Sequence, residues 1–359
     1  MQHRQSPIPA VPLYISTKGW KVILVTGGAG FIGSNFILEW IRSDRGPIIN
    51  FDKLTYASSS PTTLSNAQSS QLHFVHGDIA DRRTVTRLLE LHKPMAVIHF
   101  AAETHVDRSI SSPNEFIQTN IVGTFELLEA VKSYWANLSI ARKEIFRFLH
   151  ISTDEVFGSL DASALSSTEL SSYAPNNPYA ATKAASDHLV RAYFRTYGLP
   201  TLTVHSSNGF GPFQFSEKLI PMTITNALSG KPIPIYGDGR NTRQWIFVED
   251  QCAAFRTTLK RGRVGQTYNV GGTNEIENKM VVEMVCESLD RLKPRLDGLS
   301  YRQQIVYVQD RPGHDQRYAL DSRKANDELG WMPEETFERG IARTVNWYLA
   351  HLPSAPSSH

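Results

Sequence analysis

The chain has 359 residues, 41% hydrophobic and 20% charged, with a formal net charge of +2. That is enough for a large core and two lobes, and the near-neutral balance gives no sign of a nucleic-acid partner. No run approaches the roughly 20 apolar residues that cross a bilayer, so no membrane partner is expected.

Residues 1–18 read as a flexible leader. Three prolines break their short apolar patch, and there is no signal-peptide h-region or small-residue cleavage site. From Lys21 the text alternates. "KVILVTG" is a strand, "GFIGSNFILEWIRS" has helical apolar spacing, and "PIINFD" and "LHFVHGD" are strands. "RRTVTRLLELH" is a helix and "MAVIHFA" a strand. A helical segment around residues 120–135, the strand "FRFLHIST", a helix over residues 179–197 and the strand "TLTVHSS" follow. Continuous apolar strands alternating with helices predict an α/β fold, a Rossmann-type doubly wound parallel sheet over residues 19–204. Residues 237–273 are expected to return to it. Residues 205–236 and 274–352, where the rhythm loosens into Pro- and Gly-rich loops, predict a smaller, interleaved substrate lobe across a cleft. The Ser/Thr-rich residues 57–70 read as a surface loop and residues 353–359 as a frayed tail. Cys252 and Cys286 fall in apolar, helical-looking contexts, which argues for a reducing, cytoplasmic setting rather than a disulfide framework.

"TGGAGFIG" follows the first strand and opens a helix, with glycines at Gly27, Gly28, Gly30 and Gly33. Glycine permits a tight turn and close approach of backbone to a pyrophosphate at the helix N-terminus. Asp52 ends the next strand about 20 residues on, placed to accept from ribose hydroxyls and to repel a 2′-phosphate. NAD is therefore favoured over NADP, an inference that Lys53 softens. Asp78 is placed either to meet the adenine edge or simply as a solvated turn residue.

Tyr179 and Lys183 lie four apart at the start of a predicted helix, on one face. A neighbouring ammonium favours a phenolate, which could take the proton from a sugar hydroxyl. At the end of "FRFLHIST" stands "STDEVFG", where Asp154 and Glu155 put two carboxylates side by side. Crowded acids resist double ionisation, so one keeps its proton. The alternative is a helix N-cap with exposed acids in the next turn. His99, His105 and Asp107 lack the spacing of a zinc site, and no metal is expected; His99 reads as a strand-end histidine satisfied by backbone bonds.

"TGGAGFIG", "HFAAETHVDRSI", "TNIVGTFELLEA", "STDEVFG" and "NPYAATK" together resemble the extended short-chain dehydrogenase/reductase family. "FSEKLIPMTITNALSGKPIPIYGDGRNTRQWIFVEDQ", "QTYNVGGTNE" and "DRPGHDQRYALDSRKANDELGW" narrow the resemblance to its nucleotide-sugar 4,6-dehydratases, from about residue 21 to 351. The resemblance implies that Tyr179 takes the proton from the C4 hydroxyl of dTDP-glucose while NAD accepts hydride, with Thr153 bonded to O4. Glu155 then removes the C5 proton, Asp154 protonates the departing C6 hydroxyl, and hydride returns to C6. It further implies an NAD site of Gly27, Gly30, Phe31, Ile32, Gly33, Asp52, Lys53, Leu54, Thr55, Asp78, Ile79, Phe100, Ala101, Ala102, Thr104, Thr119, Tyr179, Lys183 and Gly209. Implied substrate contacts are Thr104, Thr153, Asn208, Lys218, Leu219, Pro234, Ile235, Tyr236, Arg243 and Asn278, with the loop Asp310, Arg311, Pro312, Gly313 and His314. Lys218, Arg243 and Arg311 suit a diphosphate. A homodimer is implied too.

Phe157, Gly209 and Phe210 depart from the family pattern, which has tyrosine, asparagine and tyrosine there. That puts the grip on NAD in question. Open alternatives are the same reaction on UDP-glucose, an epimerase or decarboxylase acting on a UDP-sugar, and a non-catalytic NAD-binding protein. The intact acid pair argues against the epimerase, and Tyr179 and Lys183 against the last.

Overall fold

The computed structural model describes residues 22–43, 45–58 and 71–351. The expected leader, the tail and most of the 57–70 loop lie outside the described residues. Strands β1 (Ile23–Thr26), β2 (Ile48–Asp52), β3 (Leu72–His76), β4 (Ala96–His99), β5 (Arg147–Thr153), β6 (Thr201–Ser206) and β10 (Thr267–Val270) form one parallel sheet, ordered β10-β6-β5-β4-β1-β2-β3. The order reverses between β1 and β4, and the crevice at such a switch point is where doubly wound folds bind ligands.

Alternation along β1 explains the sheet's two covered faces. Ile23 and Val25 enter one core with Phe36, Ile98 and Leu202, while Leu24 enters the other with Ile49, Leu88 and Val131. The expected helix around residues 120–135 is the end of a longer run. It passes through a π-helical turn (Ile117–Gly123) into the helix Thr124–Ala136. The wider turn sits against the site, as such turns often do: Thr119 lines the first cavity, and Asn120 donates to Thr182 Oγ1 at 2.9 Å.

The smaller lobe holds β7 (Asn208–Phe210), β9 (Thr242–Phe247) and β11 (Asn274–Glu277) in one sheet, and β8 (Ile233–Tyr236) with β12 (Ile305–Val308) in another. Here the chain departs from the expected division in two places. β9 falls within residues 237–273 but pairs in the small sheet. It bridges the lobes, Ile246 facing the large core and Trp245 and Phe247 the small one. Helix Arg323–Leu329 falls in the expected substrate lobe, yet Ala325, Leu329 and Trp331 pack into the core of the large sheet. Helix Phe337–His351 then returns to the small lobe. Burial of these apolar side chains, not sequence order, decides which lobe each segment joins.

Candidate active site

The glycine turn and the ends of β1, β2 and β4 enclose the first cavity. Gly27 has φ +74°, a left-handed conformation open chiefly to glycine, and a Cβ there would come within 2.4 Å of Ala101 N. A Cβ on Gly33 would lie 2.4 Å from the Gly27 carbonyl oxygen, so the helix packs directly on the turn. Asp52 is buried and pinned by two backbone donors, Ala29 N–H to Oδ2 and Leu54 N–H to Oδ1, each at 2.8 Å. It lines the cavity, and a carboxylate with two bonds made can still accept others. Lys53 pairs with Asp78 at 2.7 Å. The cation that softened the NAD inference is thereby neutralised by its neighbour.

The other expected cofactor residues line this cavity, from Phe31 and Ile32 through Thr55, Ile79, Phe100, Ala101 and Ala102 to Thr104, Thr119, Tyr179 and Lys183. Leu54 and Gly209 do not. Leu54 occupies the turn after β2 with φ +54°, its N–H given to Asp52. Gly209 belongs to the second cavity, where a Cβ would meet Gln251 Oε1 at 2.3 Å. Gln251 thus fills the volume that an asparagine at residue 209 would need. Phe157 packs edge-on to His205 and Tyr173, and Phe210 sits in the small-lobe core with Trp245, Phe247 and Phe337. Neither aromatic departure faces the cofactor cavity.

β5 and helix Pro178–Tyr197 carry the chemistry. Asn177 caps the helix by accepting from Ala180 N–H at 2.8 Å, and its amide donates to Glu155 Oε2 at 3.2 Å. One residue thus fixes both the start of the tyrosine's helix and the carboxylate opposite it. Asp154–Phe157 is a short 3₁₀ turn capped by Thr153, whose hydroxyl accepts from Glu155 N–H at 3.3 Å and donates to Asp154 Oδ1 at 3.1 Å. The N-cap alternative is therefore right about the local geometry, but its acids are not exposed. Asp154 is only 3% accessible, and its Oδ2 has no hydrogen-bond partner among the described residues. Burial, reinforced by the Glu155 charge, pushes the Asp154 carboxyl up to about 8. Glu155 is also raised by burial, against the Asn177 hydrogen bond and the charges of Arg243, Lys218 and Arg311.

Lys183 Nζ donates to the Ile151 carbonyl at 2.8 Å. Burial lowers its ammonium to about 8, while the Asp187 carboxylate holds it up. The expected lowering of the Tyr179 phenol is not what the side chains produce. Burial and then the Glu155 charge push Tyr179 upward, with the Thr153 hydroxyl opposing.

The second cavity opens beside Glu155 and holds Thr104, Asn208, Lys218, Leu219, Pro234, Tyr236, Arg243, Asn278, Arg311, Gly313 and His314. Thr153, Ile235, Asp310 and Pro312 do not line it. Ile235 points into the core because β8 alternates, leaving Pro234 and Tyr236 outward. Asp310 instead accepts from Arg311 N–H and pairs with His314 Nδ1 at 2.6 Å, shaping the loop. Arg311 pairs with Asp107 at 2.5 Å across the cleft, and Lys218 donates to the Thr104 carbonyl at 2.9 Å. The Arg243 terminal nitrogens donate to the carbonyls of Thr242, Asp315 and Gln316, and its guanidinium stacks on Tyr318. His99 is satisfied by the hydroxyls of Thr26 and Thr124, not by the backbone.

Sequence reasoning missed Asn177, Gln214 and Asp187. The signal for Asn177 was present, an asparagine before a proline at a predicted helix start. Gln214 lines both cavities, and its Oε1 is buried without a partner among the described residues.

The family model described as GDP-mannose 4,6 dehydratase matches residues 24–344. A dTDP-glucose 4,6-dehydratase of Xanthomonas campestris pv. campestris (strain B100) is 57% identical over 329 residues, covering 91% of this chain and 93% of the relative. One from Salmonella typhimurium is 51% identical over 337 residues, covering 92% and 93%. The crystal structure of DesIV, a dTDP-glucose 4,6-dehydratase from Streptomyces venezuelae solved with NAD bound, superposes with a TM-score of 0.83 at 41% identity, covering 92% and 97%. With its glycine turn and Tyr179–Lys183 helix on one cavity and Glu155 on the next, the chain belongs to the dTDP-glucose 4,6-dehydratases of the nucleotide-sugar dehydratase family.

Proposed function

We propose that the protein dehydrates dTDP-glucose to dTDP-4-keto-6-deoxyglucose with NAD as a cofactor that ends unchanged. The observation that carries this reading is the acid pair after β5. Burial raises the Asp154 carboxyl to about 8, so it is protonated near neutral pH, while Glu155 opens onto the second cavity, which shares Thr104, Gln214 and Lys218 with the cavity that Tyr179 lines. NAD suits the first cavity because Asp52 is held with lone pairs to spare and the turn leaves no room for a Cβ at Gly27 or Gly33. When bound, it would accept the C4 hydride and return it to C6, and its positively charged ring would counter the burial raising Tyr179.

Tyr179 takes the proton from the C4 hydroxyl, with Lys183 charged beneath it. A ketone at C4 makes the C5 proton acidic, and Glu155 removes it. Asp154 delivers its proton to the C6 hydroxyl, which leaves as water, and Glu155 returns a proton to C5 as C6 is reduced. Arg311 and Lys218 hold the diphosphate, and Arg311 gives up Asp107 to do so. The committed donors of Arg243 fit a role in shaping the cavity wall more than a second anion grip.

The pH dependence follows from Asp154. An acid with a pKa of about 8 is protonated below that value, so turnover should fall tenfold per unit as pH rises beyond about 8. Asp154→Asn keeps the shape but has no proton to give, and kcat should drop roughly 10²–10⁴-fold. A profile flat to pH 10 (about two units past the limb) would remove Asp154 from the role of acid.

The reading extends to a cytoplasmic homodimer. Ile117, Phe125 and Tyr197 are exposed on the helical segments beside the site, which supports a partner there. Among the described residues no helix is long and apolar enough to cross a membrane. The decisive experiment supplies dTDP-glucose and, separately, UDP-glucose in heavy water and follows the sugar by NMR. The 4-keto-6-deoxy product, deuterated at C5 and formed faster from dTDP-glucose, is expected. A galactose product, or no turnover of either sugar, would overturn the reading.

A further inference from the structure

One buried carboxylate stands outside the steps above. Asp187 lies one helical turn beyond Lys183, on the same face of helix Pro178–Tyr197, and is 4% accessible. Its two oxygens are crowded with donors. Oδ1 meets His150 Nε2 at 3.0 Å. Oδ2 meets Ser152 Oγ at 2.8 Å, Tyr173 OH at 3.0 Å and His205 Nε2 at 3.2 Å. His150 and Ser152 flank Ile151, whose carbonyl takes the Lys183 ammonium at 2.8 Å. A single stretch of β5 therefore grips both the lysine and the aspartate.

Such a density of donors fits an ionised carboxylate, which accepts and does not donate. Burial opposes the charge, and the hydrogen bonds from His150 and His205 outweigh it and hold Asp187 well below the usual carboxylate range. Several titratable groups face this anion from the elements packed around it. β5 contributes His150, with His99 of β4 against that ring at 5.3 Å. β6 contributes His205, and the loop before the helix contributes Tyr173, with His188 against it at 5.2 Å. The helix itself contributes Lys183 and Tyr179. Burial lowers His150 to about 4, so it donates as a neutral ring. Asn269 donates its amide to the Ser167 carbonyl at 2.9 Å, which turns its Oδ1 toward His205 Nδ1 at 3.0 Å. His205 must then donate from Nδ1. Tyr173 OH also lies 2.7 Å from His205 Nε2.

We propose that Asp187 is a positioning residue for the Tyr179–Lys183 pair, a fixed buried anion that keeps the Lys183 ammonium charged where the protein works. Neither alternative for this carboxylate fits as well. Both its oxygens are already met by His150, Ser152, Tyr173 and His205, which leaves none for substrate, whereas Asp154 keeps Oδ2 unpartnered among the described residues. A neutral amide would satisfy fewer of the four donors, because its NH₂ side cannot accept. The negative charge stabilises the protonated forms of both neighbours. Losing it lowers the titration midpoints of Lys183 and of Tyr179 together and moves the working window to lower pH.

The proposal rests on the dehydratase reading for its purpose, so its test is read without turnover. Protein labelled with carbon-13 at the lysine Cε is titrated by NMR in the presence of NAD, with the Lys183 resonance assigned by its loss in Lys183→Arg. In Asp187→Asn the Lys183 midpoint should fall by about one pH unit. Tyr173→Phe removes one donor and keeps the charge, so its midpoint should match the wild type. An unshifted midpoint in folded Asp187→Asn, or an equal shift in Tyr173→Phe, would overturn the assignment. Asp187→Ser, which leaves room for a water among the donors, serves where the Asn variant fails to fold. Failure of both to fold would make Asp187 a structural carboxylate and overturn the proposal as well. An inactive wild type with the expected midpoint shift would instead count against the function and leave the electrostatic assignment standing.

Discussion

Glu155→Gln is expected to stop the reaction after C4 has been oxidised. The substitution keeps the size of the side chain and an oxygen that can still accept from Asn177, but it has no basic lone pair for the C5 proton. Tyr179 and Lys183 are untouched, so the first proton transfer proceeds. A positioned base contributes about 10²–10⁴-fold, and formation of the keto-deoxy product should fall by that factor. Two signatures should accompany the fall. The absorbance of reduced cofactor should rise and persist on adding dTDP-glucose, and no deuterium should enter C5 from heavy water. The loss of the Glu155 charge should also lower the midpoint of Asp154, since that charge is second only to burial in raising it. Full turnover, or C5 exchange at the wild-type rate, would remove Glu155 from the role of base.

Tyr179→Phe should act one step earlier and leave no reduced cofactor at all. The ring is buried against Phe116, so phenylalanine fits the same space and the fold should keep its stability within about 1 kcal/mol. What disappears is the hydroxyl that takes the C4 proton, and kcat should drop by about 10³-fold or more. The glycine turn and Asp52 lie at the other end of the cavity, so NAD affinity should be nearly unchanged by fluorescence titration. The pair of variants thus separates the two halves of the reaction. One accumulates reduced cofactor, and the other does not form it. If Tyr179→Phe accumulated it as well, the proton at C4 would have another acceptor.

Much of the fold was legible because parallel strands covered on both faces write themselves as unbroken apolar runs, as "KVILVTG" and "MAVIHFA" do. The cofactor end was legible too, since a turn with no room for a Cβ at residues 27, 28 and 33 leaves a trail of glycines. Local chemistry was readable too: "STDEV" and "YAATK" place their groups within one or two turns. What the text could not display were meetings between distant segments. Arg311 finds Asp107 from 204 residues away, and Asp187 is reached by donors 14 to 37 residues distant. No periodicity encodes such contacts. Nor did the family pattern reveal that Gln251 occupies the volume beside Gly209, because the two residues lie 42 positions apart. The upward push on Tyr179 was missed for a different reason. Spacing shows which charge is near, but only packing shows how much water has been removed. The inward turn of Ile235 could have been found, since β8 alternates and its neighbours Pro234 and Tyr236 carry the opposite face.

The weaving of the chain between its lobes bears on any attempt to build chimeras. Grafting another relative's sugar-binding half by exchanging everything after residue 274 would carry off Ala325, Leu329 and Trp331, which belong to the nucleotide half. A workable crossover would have to return those side chains with the recipient's own partners, or accept a hole beneath the host's sheet. Donor and recipient halves in this architecture are therefore inherited as an interlocked pair, and recombination among relatives should succeed only where both sides of that clasp come from one parent.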